Sequence, residues 1–135
     1  MDPKDVARRL YDEVYNGRNI DAVDDLAIEA YDEHDPLPGQ GTGRAGLKDR
    51  ARMLIEAFDP HFTIEDMIAE GDKVVVRWRN AGNHVGEFMG MAPSGKSFEI
   101  AGIDVHRLDG DRLAEHWHVV DMLSQMQQLG FIPGP

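Results

Sequence analysis

A change of hydrophobic period near His61 constrains the fold of this chain more than any other feature. Before it, apolar residues recur three and four positions apart; after it, they alternate. In "DPKDVARRLYDEVYNG", Val6, Leu10 and Val14 share a helical face, Asp2 can cap, Pro3 suits the first helical position and Gly17 is the stop. "NIDAVDDLAIEAY" sets Ile20, Val23, Leu26 and Ala27 on one side with Asn19 or Asp21 as cap, which predicts a second helix forming a hairpin with the first. The prolines and glycines of "HDPLPGQGTG" demand a loop. "RAGLKDRARMLIEAF" then restores the helical period through Leu47, Ala51, Leu54 and Phe58.

From His61 onward, "HFTIEDMIAE", "KVVVRWRNAGNHVGEFMG", "SFEIAGIDVHRL" and "RLAEHWHVVDM" read as strands joined by Gly-Asp, "MAPSGK" and Asp-Gly turns, with a short helix in "LSQMQQLGFIPGP". Three N-terminal helices followed by an antiparallel meander define an α+β class, with the helices packed on a curved sheet that encloses one pocket. At 135 residues, 1–135 is expected to form a single domain, burying roughly two-thirds of its unfolded surface.

Composition narrows the chemistry. The chain has no cysteine, which leaves proton transfer to His, Asp, Glu, Tyr, Arg or Lys. A net charge of −11 opposes sequence-independent binding to nucleic acid or anionic membrane, so a small apolar ligand is the expected partner. Neither a signal pattern nor a spanning apolar run is apparent, and the cytoplasm is the expected location.

Candidate site residues come from pairing the last two strands across "LDGD". An unbroken ladder puts Asp104, His106 and Leu108 on one face with Leu113, Glu115, Trp117, Val119 and Asp121, and puts Ile103, Val105, Arg107, Ala114, His116, His118 and Val120 on the other; a bulge would reverse part of this. An imidazole beside a carboxylate among aliphatics is a workable proton-transfer pair. The structural alternatives are that Asp104 and His106 satisfy each other and that Asp121 caps the tail helix. His34 in "YDEHDP", which follows a short strand and precedes a loop, either overhangs the pocket mouth or is an exposed loop residue, and His84 in "GNHVGEFMG" fits close backbone approach or a bulged strand. His116 and His118 have metal-ligand spacing but no evident third ligand on their face; half-exposed histidines at a sheet-mediated dimer interface are favoured over a metal. An apolar strip carrying them predicts a homodimer through the outer sheet face, weakened below about pH 6 as they charge.

The set "HDP" before the Pro/Gly loop, "G-x-H-x-G-E-F-M-G", and "E-H-W" followed by "V-V-D", together with "LYDEVYNG", "GIDVHRL" and "QLG", resembles the SnoaL-like polyketide cyclase family over nearly the whole chain. That resemblance implies the cone-shaped nuclear transport factor 2-like fold and an intramolecular aldol ring closure without metal or cofactor. It places the acid/base role on Asp121, with His106, Asp104 and His34 orienting substrate and stabilising developing negative charge. Trp117, Trp78, Tyr15, Phe88, Met89, Met91 and His84 would line the substrate site. The shared fold also serves epoxide hydrolases, for which His106 with Asp121 could hold a water, and non-catalytic binding dimers.

Overall fold

The computed structural model describes residues 2–134. Helix α1 (Pro3–Arg9) starts where expected: the Asp2 side chain accepts from the Lys4 N–H at 2.9 Å. From Leu10 to Asn16 the same helix widens into π winding before ending at Gly17, where a Cβ would lie 2.6 Å from the Glu13 carbonyl oxygen. This segment buries both Tyr11 and Tyr15. Asn16 fastens it to the sheet, donating to the Phe62 carbonyl and accepting from the Phe62 N–H, both at 2.8 Å.

The second helix is shorter than its period suggests. A 3-10 turn (Ile20–Ala22) and helix α2 (Val23–Leu26) give way at Ala27 to strand β1 (Ala27–Glu33). Backbone pairing with a strand from the far end of the chain overrides the weak local preference for helix. Helix α3 (Gly43–Phe58) follows the loop, burying Leu47, Ala51 and Phe58, and Asp59 closes it in a left-handed conformation.

Strands β2 (His61–Glu70), β3 (Lys73–Asn83), β4 (Ser97–Asp109) and β5 (Arg112–Val120) form the antiparallel meander, and helix α4 (Met122–Leu129) ends at Gly130. The sheet order is β1-β5-β4-β3-β2, with β1 parallel to β5 at the edge. The expected α+β architecture is present, with one short helix in place of a full second one. Among the described residues, no helix is long and apolar enough to cross a membrane.

One irregularity decides which side chains face inward. Leu108 pairs with Leu113, as an unbroken ladder requires, but Arg107 pairs with Glu115, leaving Ala114 as the extra residue of a bulge. Beyond it the faces of β5 are the reverse of the unbroken reading. His116 and His118 lie on the buried side opposite His106 and Asp104, whereas Glu115, Trp117 and Val119 face outward. The bulged register also sets Arg107 directly across from Glu115 in an ion pair, a favourable cross-strand match.

Candidate active site

Between the helices and the inner face of the sheet lies a cavity of about 760 Å³, counted with its open mouth. Phe58, Phe62, Phe88, Trp78, Leu54 and Ile100 contribute apolar lining, while Asp104, His116, His118, Arg50, three tyrosines, Asn80 and Gln125 supply the polar part.

Asp104 stands at the centre of the polar part. One oxygen accepts from the Tyr11 hydroxyl at 2.5 Å and from Trp78 Nε1 at 2.8 Å, and the other pairs with His116 Nε2 at 3.0 Å. Trp78 reaches it because Gly102 is its direct partner on β4; a Cβ on Gly102 would sit 2.2 Å from the indole. The other nitrogen of His116, Nδ1, bonds Glu33 at 2.7 Å, which places this imidazole between two carboxylates. Tyr11 also meets His106 Nε2 at 2.7 Å, and the His106 and His116 rings stack with centroids 5.0 Å apart.

The two stacked histidines carry different charges. Burial disfavours charge on His116, but Asp104 and Glu33 outweigh it and raise its pKa to about 9. Burial also dominates at His106, where the His116 cation adds repulsion, and its pKa falls to about 3. Neutral His106 beside cationic His116 is therefore the state at neutral pH. Burial pushes the Asp104 carboxyl upward, yet attraction and hydrogen bonding to His116, with His106 and Tyr11, hold it well below the ordinary carboxylate range. Burial and then Arg50 lower the pKa of His118.

Of the residues singled out from the sequence, the structure brings Asp104, Trp78, Tyr15 and Phe88 to the cavity wall, with His106 immediately behind Tyr11. Others lie elsewhere. Asp121 is exposed and caps α4, accepting from the Ser124 N–H at 3.1 Å, so the cavity placement expected for it is corrected by a helix-cap geometry. A shared His106–Asp121 water site therefore has no geometric basis. His34 and Trp117 stack on the outer face, ring centroids 4.6 Å apart, and His34 Nε2 bonds Glu115 at 2.7 Å; the bulge turns Trp117 outward, and His34 takes the exposed position after β1. His84 is wholly buried behind Phe58 and bonds Ser94 through Nδ1, which makes it an anchor of the β3–β4 loop. Met89 is exposed in a left-handed turn, and Met91 packs against the core outside the cavity lining.

Sequence reasoning missed Tyr11, Glu33 and Arg50, and turned His116 and His118 the wrong way. Tyr11 and Tyr15 stand four apart on a helix, a spacing that signals a shared face. Glu33 completes a set with His116 and His118 whose ligand atoms lie within 4.8 Å of one another, the third ligand that the sequence did not offer. Arg50 stands against that set, 3.3 Å from His118 and 3.8 Å from Glu33. A fixed guanidinium beside the donor atoms disfavours a cation there, and both nitrogens of His116 are already engaged by carboxylates.

The α+β architecture, with a carboxylate and imidazoles on the wall of a largely apolar cavity, is of the nuclear transport factor 2-like type. The chain belongs to the SnoaL-like polyketide cyclase family, whose sequence profile it matches over residues 5–129. It is similar to a candidate polyketide cyclase from Acidithiobacillus ferrooxidans, at 32% identity over 94% of this chain and 93% of that one with a TM-score of 0.81. It is also similar to IdmH, a candidate polyketide cyclase from Streptomyces antibioticus, at 27% identity, 96% and 99% coverage and a TM-score of 0.82. TsrD from Streptomyces laurentii shares 26% identity over 96% and 95% of the chains, with a TM-score of 0.87. No curated protein matches the chain significantly. The family and these neighbours support a cyclase or isomerase type of role.

Proposed function

We propose that the cavity catalyses a cofactor-independent aldol-type ring closure of an apolar carbonyl compound, with Asp104 as general base and then general acid. The observation that carries this reading is the Asp104 carboxylate itself: its side chain is 11% exposed on the cavity wall and is oriented by Tyr11, Trp78 and His116. Asp104 would take the proton from a carbon next to a carbonyl, and that carbon would attack a second carbonyl of the same molecule. The resulting alkoxide would recover the proton from Asp104, so substrate and product are isomers. His116 keeps the base ionised between turnovers. Its pull also makes Asp104 a weak base, which suits a carbon acidified by two flanking carbonyls. Tyr11 and Trp78 fix the carboxylate so that little reorganisation accompanies the transfer.

Asp104→Asn tests the proposal, because it keeps the shape of the side chain and removes the base. Linear aromatic polyketides, offered both as free acids and as esters, should be cyclised by the wild type and turned over about 10²–10⁴-fold more slowly by the variant. Undiminished turnover would sink the assignment, and ligand binding without turnover by the wild type would favour a binding protein.

We also propose a two-fold homodimer through the outer sheet face. Ile68, Ile103 and Val119 are 65%, 46% and 76% exposed there, an apolar strip of the kind that partners cover. The interface histidines expected from an unbroken ladder are not part of it, since the bulge turns His116 and His118 inward. Val119→Lys should shift a dimer toward monomer in light scattering; a wild-type monomer would remove the proposal.

A further inference from the structure

The catalytic reading leaves one buried charge on the cavity wall unused. Arg50 projects from α3 and is 7% exposed. Its contacts are long: Nη1 to the Asp35 carbonyl at 3.2 Å and to Gln40 Oε1 at 3.4 Å, and Nη2 to His118 Nε2 at 3.3 Å. Glu33, the nearest carboxylate, stands 3.8 Å away, and the oxygen it offers already bonds His116 at 2.7 Å. A guanidinium carries five donors in a fixed fork and, when buried, ordinarily meets a carboxylate on two of them. No side chain makes that bidentate contact with Arg50 among the hydrogen bonds of the described residues.

A second group at the same wall is also unsatisfied. The Tyr31 hydroxyl is buried, lines the cavity, is within electrostatic reach of Arg50 and has no hydrogen-bond partner. Tyr15, also in the lining, interacts with the guanidinium as well. Buried polar groups are satisfied in the great majority of cases, so an unpaired hydroxyl beside an incompletely paired cation marks a place where something else binds. Phe58, Phe62 and Phe88 give the same cavity an apolar aromatic lining.

We propose that Arg50 and Tyr31 form a carboxylate-binding subsite, and that the ligand of this cavity is an aromatic or similarly flat apolar acid whose carboxylate docks on the guanidinium. The subsite rests on the reading of the cavity as a small-molecule site and extends it. With the acid held at Arg50, the apolar body spans toward Asp104, which selects the carbon it can deprotonate. An acid fills the fork that an ester or amide leaves open.

Calorimetric titration of the full chain at neutral pH with 2-naphthoate and with its neutral isostere 2-naphthamide tests this without any variant. The acid should bind at least about 10-fold more tightly than the amide, the scale of one charge-assisted pair. In Arg50→Gln the two should bind within about 2-fold of each other, and Arg50→Lys should keep part of the preference; thermal melts check that both variants are folded. Equal binding of acid and amide to the wild type, no binding of the acid, or a preference that persists in folded Arg50→Gln would each overturn the subsite. Asp104→Asn separates the two readings: it should slow turnover about 10²–10⁴-fold yet keep the preference for the acid. Loss of turnover without any acid preference leaves the base assignment standing and removes the anchor alone.

Discussion

The two faces of β4 and β5 carry nearly the same residue types and opposite physics. Inward lie Asp104, His106 and His116; outward, around the edge strand, lie Asp32, His34 and Glu115, and each trio keeps its ligand-type atoms within 4.8 Å of one another. The outer set is solvated. His34 and Glu115 retain 36% and 20% side-chain exposure, and Arg107 and Lys73 supply further charge through Glu115 and the Trp117 ring. The inner set is sealed, so each charge needs a specific partner, and small differences in who bonds whom separate the pKa values of His106 and His116 to about 3 and about 9. Similar chemistry becomes a sealed network of specific pairs on one side and a solvated surface cluster on the other because the dielectric differs.

Substitution of matching residues is the strongest way to break this comparison. His116→Gln removes the cation between Glu33 and Asp104 and leaves two buried carboxylates facing each other, which should cost about 3–5 kcal/mol in thermal or urea unfolding. His34→Gln removes an exposed hydrogen bond to Glu115 and should fall within about 1 kcal/mol of wild type. Equal costs would mean that burial does not distinguish the faces. Next in size is Gly102→Ala. The added methyl would collide with the Trp78 ring, pushing the indole off Asp104 at a cost of about 1–3 kcal/mol, with a matching change in near-ultraviolet circular dichroism.

Much of this architecture was legible in the sequence because it depends on period. The change near His61, the cap at Asp2 and the stops at Gly17 and Gly130 are local signals, and the structure reproduces each. What failed depended on partners distant in sequence. β1 is a strand because β5 pairs with it; a short strand just ahead of His34 is legible, but the helical period of "LAIEAY" hides that the strand begins at Ala27. One residue, Ala114, reversed the assignment of every side chain beyond it, because strand faces alternate with period two. The usable clue was Arg107, which the unbroken ladder sets across from Ala114 and the bulged ladder sets across from Glu115. The site fared likewise: Asp104 and His106 were found together, but their partners Tyr11, Glu33 and Arg50 come from three elements that only the tertiary fold assembles.

Acidity offers a finer test. His116 has a folded-state pKa raised to about 9, so its contribution to stability is complete below its unfolded value of 6.5 and is lost as pH rises through 9. His106 is lowered to about 3, and because it stays neutral in the folded state while the unfolded chain protonates, stability is lost as pH falls from 6.5 toward 3. Asp104 and Glu33 are both lowered, and their contributions also disappear in acid. Melting temperature should therefore peak near pH 6.5 and decline toward pH 9, and the alkaline decline should be absent in His116→Gln. A flat profile from pH 6.5 to 9.5 in the wild type would argue that His116 is not the charged member of the stack.

The smallest expected effect isolates the inner face optically. The chain has two tryptophans, Trp78 on the cavity wall and Trp117 stacked on His34. Trp117→Phe keeps an aromatic ring for the outer stack and should change stability by less than about 1 kcal/mol, since the half-buried ring keeps most of its stacking area on His34. In that variant all tryptophan emission comes from Trp78, whose indole N–H is committed to Asp104. Between pH 5 and 8 the Asp104 carboxylate and the His116 cation both persist, so the emission maximum should stay constant; near pH 9 His116 loses its proton and the field at the indole changes. A shift centred near pH 9, absent from the reciprocal Trp78→Phe protein, would tie the titration to the cavity. A shift of equal size from Trp117 alone would instead place the titrating group on the outer face and undo the distinction between the two.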